Sequence, residues 1–377
     1  MNGLGHRIWQ KAVGKITLNS KKMQEIFKEH VQTLPKEEAR QCWEVYWEVI
    51  VACGLAKSLG YVPEGKFPNA KRLIEKDLFH ALLETKPAPL TIELIDHLLF
   101  LSIKTSYNGW IDFNDQVYMP ALFGGTFPRF PLVLVDEAQD LNPVNHAILT
   151  KLIKERACFV GDRWQSIYAF RGAVTNGMQD LQGKFLCSEL DLSVSFRCPQ
   201  AVVEAARWRV PGFKWIKPGG HVERLKRLPS KSIPEGAAII CRNNAPLFRT
   251  ALGLLMQSRA VTVSGSELGP KLIRLLEKIC DEDDNQEIMV GKIENWKEEQ
   301  LAKAQHPGQI IDTAECLIVF ASFGKDRGQA VAYVDHMFKQ QGSIKLLTGH
   351  KAKGGEWDKV YHLDPWLCRD NEQDKNL

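Results

Sequence analysis

The sequence predicts an α/β fold of parallel sheets flanked by helices, interrupted by helical insertions, and three observations carry that expectation. Residues 132–135, Leu-Val-Leu-Val, are a continuous apolar run that delivers Asp136 and Glu137 to its C-terminal end; strands buried on both faces of a parallel sheet read this way. A second run, Cys158-Phe159-Val160, ends in Gly161-Asp162. The sequence between them has helical character, so 130–173 reads strand, helix, strand, helix, the signature of a βαβ unit. Open α/β sheets place their chemistry beyond the carboxyl ends of the strands, which makes these two strand ends the first place to look for function.

The other elements follow in order. Residues 20–105 read as helical, with apolar residues three and four apart in 38–59 and 70–83 and breaks at Pro35, Pro63, Pro68, Pro87 and Pro89. A third strand is expected over 185–192, then a helix over 199–209. A fourth strand, 237–242, leads into a helix over 247–256. Residues 267–342 turn helical and strongly charged and read as an insertion. Strands are expected again at 344–348 and 360–363.

At 377 residues and 44% hydrophobic content, the chain can fill the cores of two or three domains. Lys and Arg number 49 against 45 Asp and Glu, a balance that permits a polyanionic partner without requiring one. The nine cysteines are scattered and never form a Cys-x-x-Cys pair, so neither a zinc site nor a disulfide framework is expected and a reducing compartment fits. No apolar stretch has membrane-spanning length and the N-terminus has no signal-peptide layout. The expectation is a soluble, intracellular protein without a membrane partner.

Two adjacent carboxylates at a strand end suit nucleoside triphosphate hydrolysis: Asp136 to hold Mg²⁺, Glu137 to address the attacking water. Capping of the following helix explains the pair equally well. The string Gly161-Asp162-Arg163-Trp164-Gln165-Ser166-Ile167-Tyr168-Ala169-Phe170-Arg171-Gly172-Ala173 shifts the balance. Gln165 can hydrogen-bond a γ-phosphate or its water. Tyr168, Phe170 and Arg171 offer flat faces and a cation on which bases of a single strand stack, at roughly 1–3 kcal/mol per base. Trp164 lies inside the same loop. Trp43, Trp47 and Trp208 read as helix-packing residues, His80, His97 and His146 as ordinary packing or surface histidines, and Glu282-Asp283-Asp284 as a solvated loop.

These residues resemble a known family. Asp136-Glu137-Ala138-Gln139-Asp140 and the Gly161–Ala173 string look like motifs II and III of the UvrD/Rep-type superfamily 1 DNA helicases. The resemblance continues in order. Residues 192–197, Leu-Ser-Val-Ser-Phe-Arg, are similar to motif IV; 240–245 resemble the strand that follows; and 347–360 look like motif V. Asn2-Gly3-Leu4-Gly5-His6-Arg7-Ile8-Trp9 resembles the end of motif Ib, with Asn2-Gly3 where His-Ser is commoner.

The resemblance implies two RecA-like domains of the P-loop NTPase type that bind ATP between them. Residues 1–19 and 110–190 would be domain 1A and 20–109 its insertion 1B. Residues 191–266 and 343–377 would be domain 2A and 267–342 a short 2B-like insertion. It further implies ATP and Mg²⁺ as cofactors and single-stranded DNA or single/double-strand junctions as partner, with the family's usual 3′ to 5′ polarity. Asp136 would hold the metal, and Glu137, Gln165 and Arg197 would act on the γ-phosphate and water. Phe196 would lie near the adenine and Glu356 would face the nucleotide. Asn2, Tyr168, Phe170, Arg171, His350 and Lys353 would contact DNA.

The phosphate loop Gly-x-x-x-x-Gly-Lys-Ser/Thr has one near match, Gly60 to Phe67. Phe67 lacks the hydroxyl that a metal needs, no apolar strand precedes it, and it falls in a helical region; it reads as an ordinary Pro/Gly loop. The family order places the true loop before residue 1 and motif VI after residue 377, so the expectation is a chain cut at both ends, weak or inactive in ATP hydrolysis on its own. A non-catalytic single-stranded-DNA-binding remnant, an interaction module and a subunit of a helicase–nuclease complex are the alternatives.

Overall fold

The computed structural model describes residues 1–377 except 84–86, 168–176, 266–267, 304–306, 369, 372–373 and 377. It is mixed α/β, with short parallel sheets among many helices, and divides into two compact units, Met1–Leu192 and Ser193–Leu377.

The first unit contains four described strands: β1 (Thr17–Leu18), β2 (Trp110–Ile111), β3 (Phe130–Val135) and β4 (Ile153–Phe159). β1 pairs with β2 and β3 with β4, both parallel. The helix Pro143–Leu152 makes the crossover from β3 to β4. It begins with a capping box in which Asn142 accepts from the Asn145 amide and Asn145 from the Asn142 amide, satisfying two donors that would otherwise lack partners. Val135, Ala138, Leu149 and Leu181 form the small core beneath the acidic strand end.

The helices Lys22–Gln32, Tyr46–Leu59 and Pro89–Tyr107 build a separate core around Phe27, Cys53, Phe79, Leu98 and Leu99. Beside it lies a buried ion cluster. Lys22 Nζ reaches Asp115 Oδ2 at 2.7 Å, and Lys57 Nζ reaches Asp112 Oδ2 at 2.6 Å and Asp115 Oδ1 at 2.7 Å. Ser106 Oγ and the Ser102 carbonyl also accept from Lys22. Two ammonium groups face two carboxylates, so the burial is of a neutral set whose remaining polar positions are hydrogen-bonded, the condition under which buried charge is tolerated. Burial lowers the Lys22 pKa to about 8, with Asp115 opposing and Lys57 adding to the shift.

The second unit holds β5 (Val194–Ser195), β6 (Lys214–Trp215), β7 (Ala238–Cys241), β8 (Val261–Val263), β9 (Ile344–Thr348) and β10 (Val360–His362). β5 pairs with β6; the other four form one parallel sheet in the order β10-β7-β9-β8. Helices Asn244–Leu255, Gly269–Ile279, Pro307–Phe323 and Arg327–Lys339 pack a core of Ile239, Phe248, Leu276, Phe320 and Leu346 around it.

Several expectations need correction. No strand forms over 185–192: Phe185 ends the helix Gly177–Phe185, and Leu186, Leu190 and Leu192 are each about 90% exposed. An apolar patch becomes a strand only where a neighbouring strand pairs with it, and no strand pairing is found for these residues among the described residues. The helical reading of 70–83 shrinks to Lys76–Ala81. Asp284 is buried and accepts from Lys292, so the acidic run is not wholly solvated. Trp47 and Trp208 are 66% and 70% exposed, more open than helix packing predicts, whereas Trp43, 46% exposed, does pack edge-on against the buried Phe27 at 5.1 Å. The Gly60–Phe67 stretch does form a loop, in which Gly60 closes the preceding helix and Phe67 packs against Phe100 and Phe123.

Candidate functional site

In the first unit, β3 and β4 pair as far as Val135 and Phe159, so Asp136 and Val160 leave the sheet at the same edge. Val160 N–H donates to the Val135 carbonyl and Ala138 N–H to the Val160 carbonyl, tying the two strand ends together. Between these bonds Glu137 adopts a left-handed conformation, φ 50°. Only glycine does this without cost, and such strain persists where the surroundings over-determine it. Here the Glu137 amide donates to Asp136 Oδ1 at 2.9 Å, and both side chains are exposed.

The constraint comes from Gln139, a residue not singled out by its type or spacing. Its side chain is 2% exposed. Nε2 donates to Glu137 Oε2 at 2.5 Å, and Oε1 accepts from the Asp162 amide at 3.0 Å. Asp162 then accepts from the Trp164 amide at 2.9 Å through Oδ1 and from Gln165 Nε2 at 2.8 Å through Oδ2. A single buried amide thus links the acidic pair to the loop bearing Gln165. Gly161 leaves room for it: a Cβ there would lie 2.6 Å from Gln139 Oε1 and 2.8 Å from Met178 Sδ.

The structure therefore brings Asp136, Glu137 and Gln165 into one connected group. Tyr168, Phe170 and Arg171 lie outside the described residues. Asn2 is exposed at the start of the first helix, its Nδ2 donating to the Phe113 carbonyl at 3.0 Å.

In the second unit, Cys241 of β7 pairs with Thr348 of β9, so the segments that follow these strands leave the same edge of the sheet. His350 lies in the short helix Gly349–Ala352 directly after β9, and Lys353 closes it. Arg197, past the end of β5, forms an ion pair with Glu356 at 2.8 Å, both side chains being exposed. Phe196 is 71% exposed. Arg197 and Glu356 are 159 positions apart, and nothing in their local sequence announces the contact.

For a magnesium nucleotide the donor set is suitable. Mg²⁺ takes one or two carboxylates and completes its shell with water and phosphate oxygens. Asp136 is an exposed carboxylate with one oxygen held by its neighbour's amide. Among the described residues no group of three His, Cys, Asp or Glu side chains forms a self-sufficient metal cage, and none is needed when phosphate oxygens share the coordination. Among them, too, no helix is long and apolar enough to cross a membrane.

Comparisons with known proteins relate this part of the chain to UvrD-type helicases. Residues 9–186 match the UvrD/REP helicase N-terminal domain family. The chain is 37% identical over 81 residues to the putative ATP-dependent DNA helicase YjcD of Bacillus subtilis, covering 21% of this chain and 11% of that protein. It is 31% identical over 114 residues to the ATP-dependent DNA helicase UvrD1 of Mycobacterium tuberculosis, 26% of this chain and 15% of the relative. A probable DNA helicase II homolog of Mycoplasma genitalium is 27% identical over 147 residues, 36% and 20% of the two chains. The matched regions span between a tenth and a fifth of these relatives.

Proposed function

We propose that this chain forms part of an ATP-dependent DNA helicase that couples ATP hydrolysis to movement along single-stranded DNA, 3′ to 5′, and to duplex unwinding at single/double-strand junctions. The observation that carries the reading is the Glu137–Gln139–Asp162–Gln165 chain of hydrogen bonds. It gives a water-handling carboxylate and a phosphate-reading amide a fixed relation, as coupling of hydrolysis to a conformational step requires.

In this reading Asp136 holds Mg²⁺, Glu137 orients water and Gln165 reads the γ-phosphate. Arg197 supplies the cation, Phe196 lies beside the adenine and Glu356 faces the nucleotide. Asn2, Tyr168, Phe170, Arg171, His350 and Lys353 contact DNA. The domains are 1A (1–19 and 110–190), 1B (20–109), 2A (191–266 and 343–377) and a 2B-like insertion (267–342). ATP when bound supplies the phosphoanhydride bond; the side chains position its phosphates and the attacking water.

The 377 residues contain no Gly-x-x-x-x-Gly-Lys-Ser/Thr. That favours slow turnover by this chain, and as the second reading a single-stranded-DNA-binding role without hydrolysis. Single-strand affinity measured with and without Mg-ATP separates the two. The helicase reading expects a nucleotide-dependent shift that Arg197→Ala and Asp136→Ala abolish. Affinity indifferent to nucleotide establishes the binding-only role instead.

A further inference from the structure

Two histidines meet in the helical part of the first unit. His30 lies in the last turn of the helix Lys22–Gln32, and His97 lies within Pro89–Tyr107. Their ring centroids are 4.4 Å apart and the planes are tilted by 45°. Both rings line a cleft of about 490 Å³, together with Glu93 of the second helix and with Glu38 and Cys42 of a third, Lys36–Glu44. None of these residues takes part in the nucleotide or DNA contacts proposed above.

Packing alone does not account for the pair. Neither ring has a hydrogen bond or an ion pair among the described residues, and His30 is only half-buried while His97 is exposed. Partial burial lowers the pKa of both, and for His97 the neighbouring His30 and then Lys66 lower it further. Both imidazoles are therefore neutral near pH 7, the form that binds metal ions.

Carboxylates extend the donor set. Glu93 precedes His97 by four positions in one helix, so the two side chains share a face. Glu38 and Glu93 are exposed, and neither forms an ion pair among the described residues. Cys42 is 2% exposed, and burial, with Glu38 beside it, pushes its thiol pKa up. A metal needs the thiolate, which this setting disfavours, so the available donors are nitrogen and oxygen.

We propose that His30, His97 and Glu93 bind Zn²⁺, with water completing the coordination. Imidazole suits Zn²⁺, whereas Mg²⁺ and Ca²⁺ take oxygen ligands. Zn–N distances of about 2.0–2.1 Å at a tetrahedral angle put the two ring centres roughly 5 Å apart, close to the spacing of this pair. Three such side chains do not converge among the described residues as they stand; the ion would draw in Glu93, whose exposed side chain has nothing to give up. Bound Zn²⁺ would tie the helix Lys22–Gln32 to Pro89–Tyr107. Cysteine spacing carries no sign of such a site because no thiolate takes part in it.

The test uses the full chain stripped of metal, with ZnCl₂ as the probe and a chromophoric zinc chelator as competitor. About one equivalent of Zn²⁺ should bind and raise the melting temperature, as a ligand of the folded state does. His30→Gln and His97→Gln should each weaken binding at least about tenfold, and Glu93→Gln by a smaller factor. In chelator the three variants should melt close to the unmodified chain, because all three side chains reach solvent. Co²⁺ at one equivalent should show no intense near-ultraviolet thiolate band. Absence of Zn²⁺ binding, an affinity unmoved by either histidine variant or by Glu93→Gln, or a thiolate band overturns the assignment. None of these readouts involves ATP or DNA, so the zinc site and the helicase reading can fail independently.

Discussion

Gln139 donates from Nε2 to Glu137 Oε2 at 2.5 Å while its Oε1 accepts from the Asp162 amide at 3.0 Å. Because the donor is almost fully buried and Glu137 is held left-handed, the acidic strand end and the Gln165 loop are parts of one rigid unit.

Gln139→Leu removes both bonds at nearly constant volume. It should cost about 1–3 kcal/mol, the usual range when a buried group loses its partner, read as a lower denaturant midpoint. Gly161→Ala should destabilise the same joint through its clash with the Gln139 amide. Unchanged midpoints for both variants would show that the joint is not held together in this way.

Arg197 and Glu356 form an ion pair in which both side chains are largely exposed. Exposed pairs contribute about 0–1 kcal/mol, so Glu356→Gln should leave the melting temperature almost unmoved. It should still alter the affinity of a fluorescent ATP analogue, because it frees the arginine. A double-mutant cycle with Arg197→Ala measures the coupling; additive effects on analogue affinity would show that the two residues act separately.

The buried ion cluster should behave oppositely. Lys57→Met leaves Asp112 and Asp115 short of a cation in a site where Lys57 is 1% exposed. Breaking a buried pair this way costs about 3–5 kcal/mol, enough to show plainly in thermal melting. A loss below about 1 kcal/mol would mean that water reaches the cluster.

Lys22 adds a pH dependence with a definite sign. Its folded pKa is about 8 against an ordinary 10.5. Between these values the unfolded chain binds more protons, so the Lys22 contribution to stability rises with pH across that window. Denaturant titrations from pH 8 to 10.5 should show this rise in the wild type relative to Lys22→Met, and parallel curves would rule it out.

His146 should impose an acid limit. It is 6% exposed and its Nε2 has no hydrogen-bond partner among the described residues. Burial, reinforced by Lys184, lowers its pKa below 6.5. The unfolded chain therefore takes up the proton first, and stability falls as pH drops through and below 6.5. His146→Leu should flatten that fall; an identical acid profile would place the sensitivity elsewhere.

Much of this was legible in the linear sequence. The apolar run before Asp136 and the run before Gly161 are strands joined by a helix, and 238–241, 344–348 and 360–362 pair as strands. The apolar run 132–135 forms a strand as expected, but Leu132 and Leu134 are 48% and 72% exposed, so the burial on both faces that such a run implies is not found there. The order of the motifs likewise pointed to the family that residues 9–186 match. Lys57 carried a faint signal, since it falls on the helix face of the buried Val49 and Cys53, a position that periodicity assigns to an apolar side chain.

The tertiary structure decided the rest. Sequence alone determined which residue types stand at the strand ends and that parallel strands alternate with helices along the chain. It could not show that Gln139 joins Glu137 to Asp162, that Arg197 meets Glu356, or that two lysines and two aspartates neutralise one another inside the first unit. Nor could the apolar patch at 185–192 reveal that no strand pairs with it among the described residues. These are contacts between segments distant along the chain or dependent on a neighbour, and local spacing carries no information about which distant groups will meet once the backbone is folded.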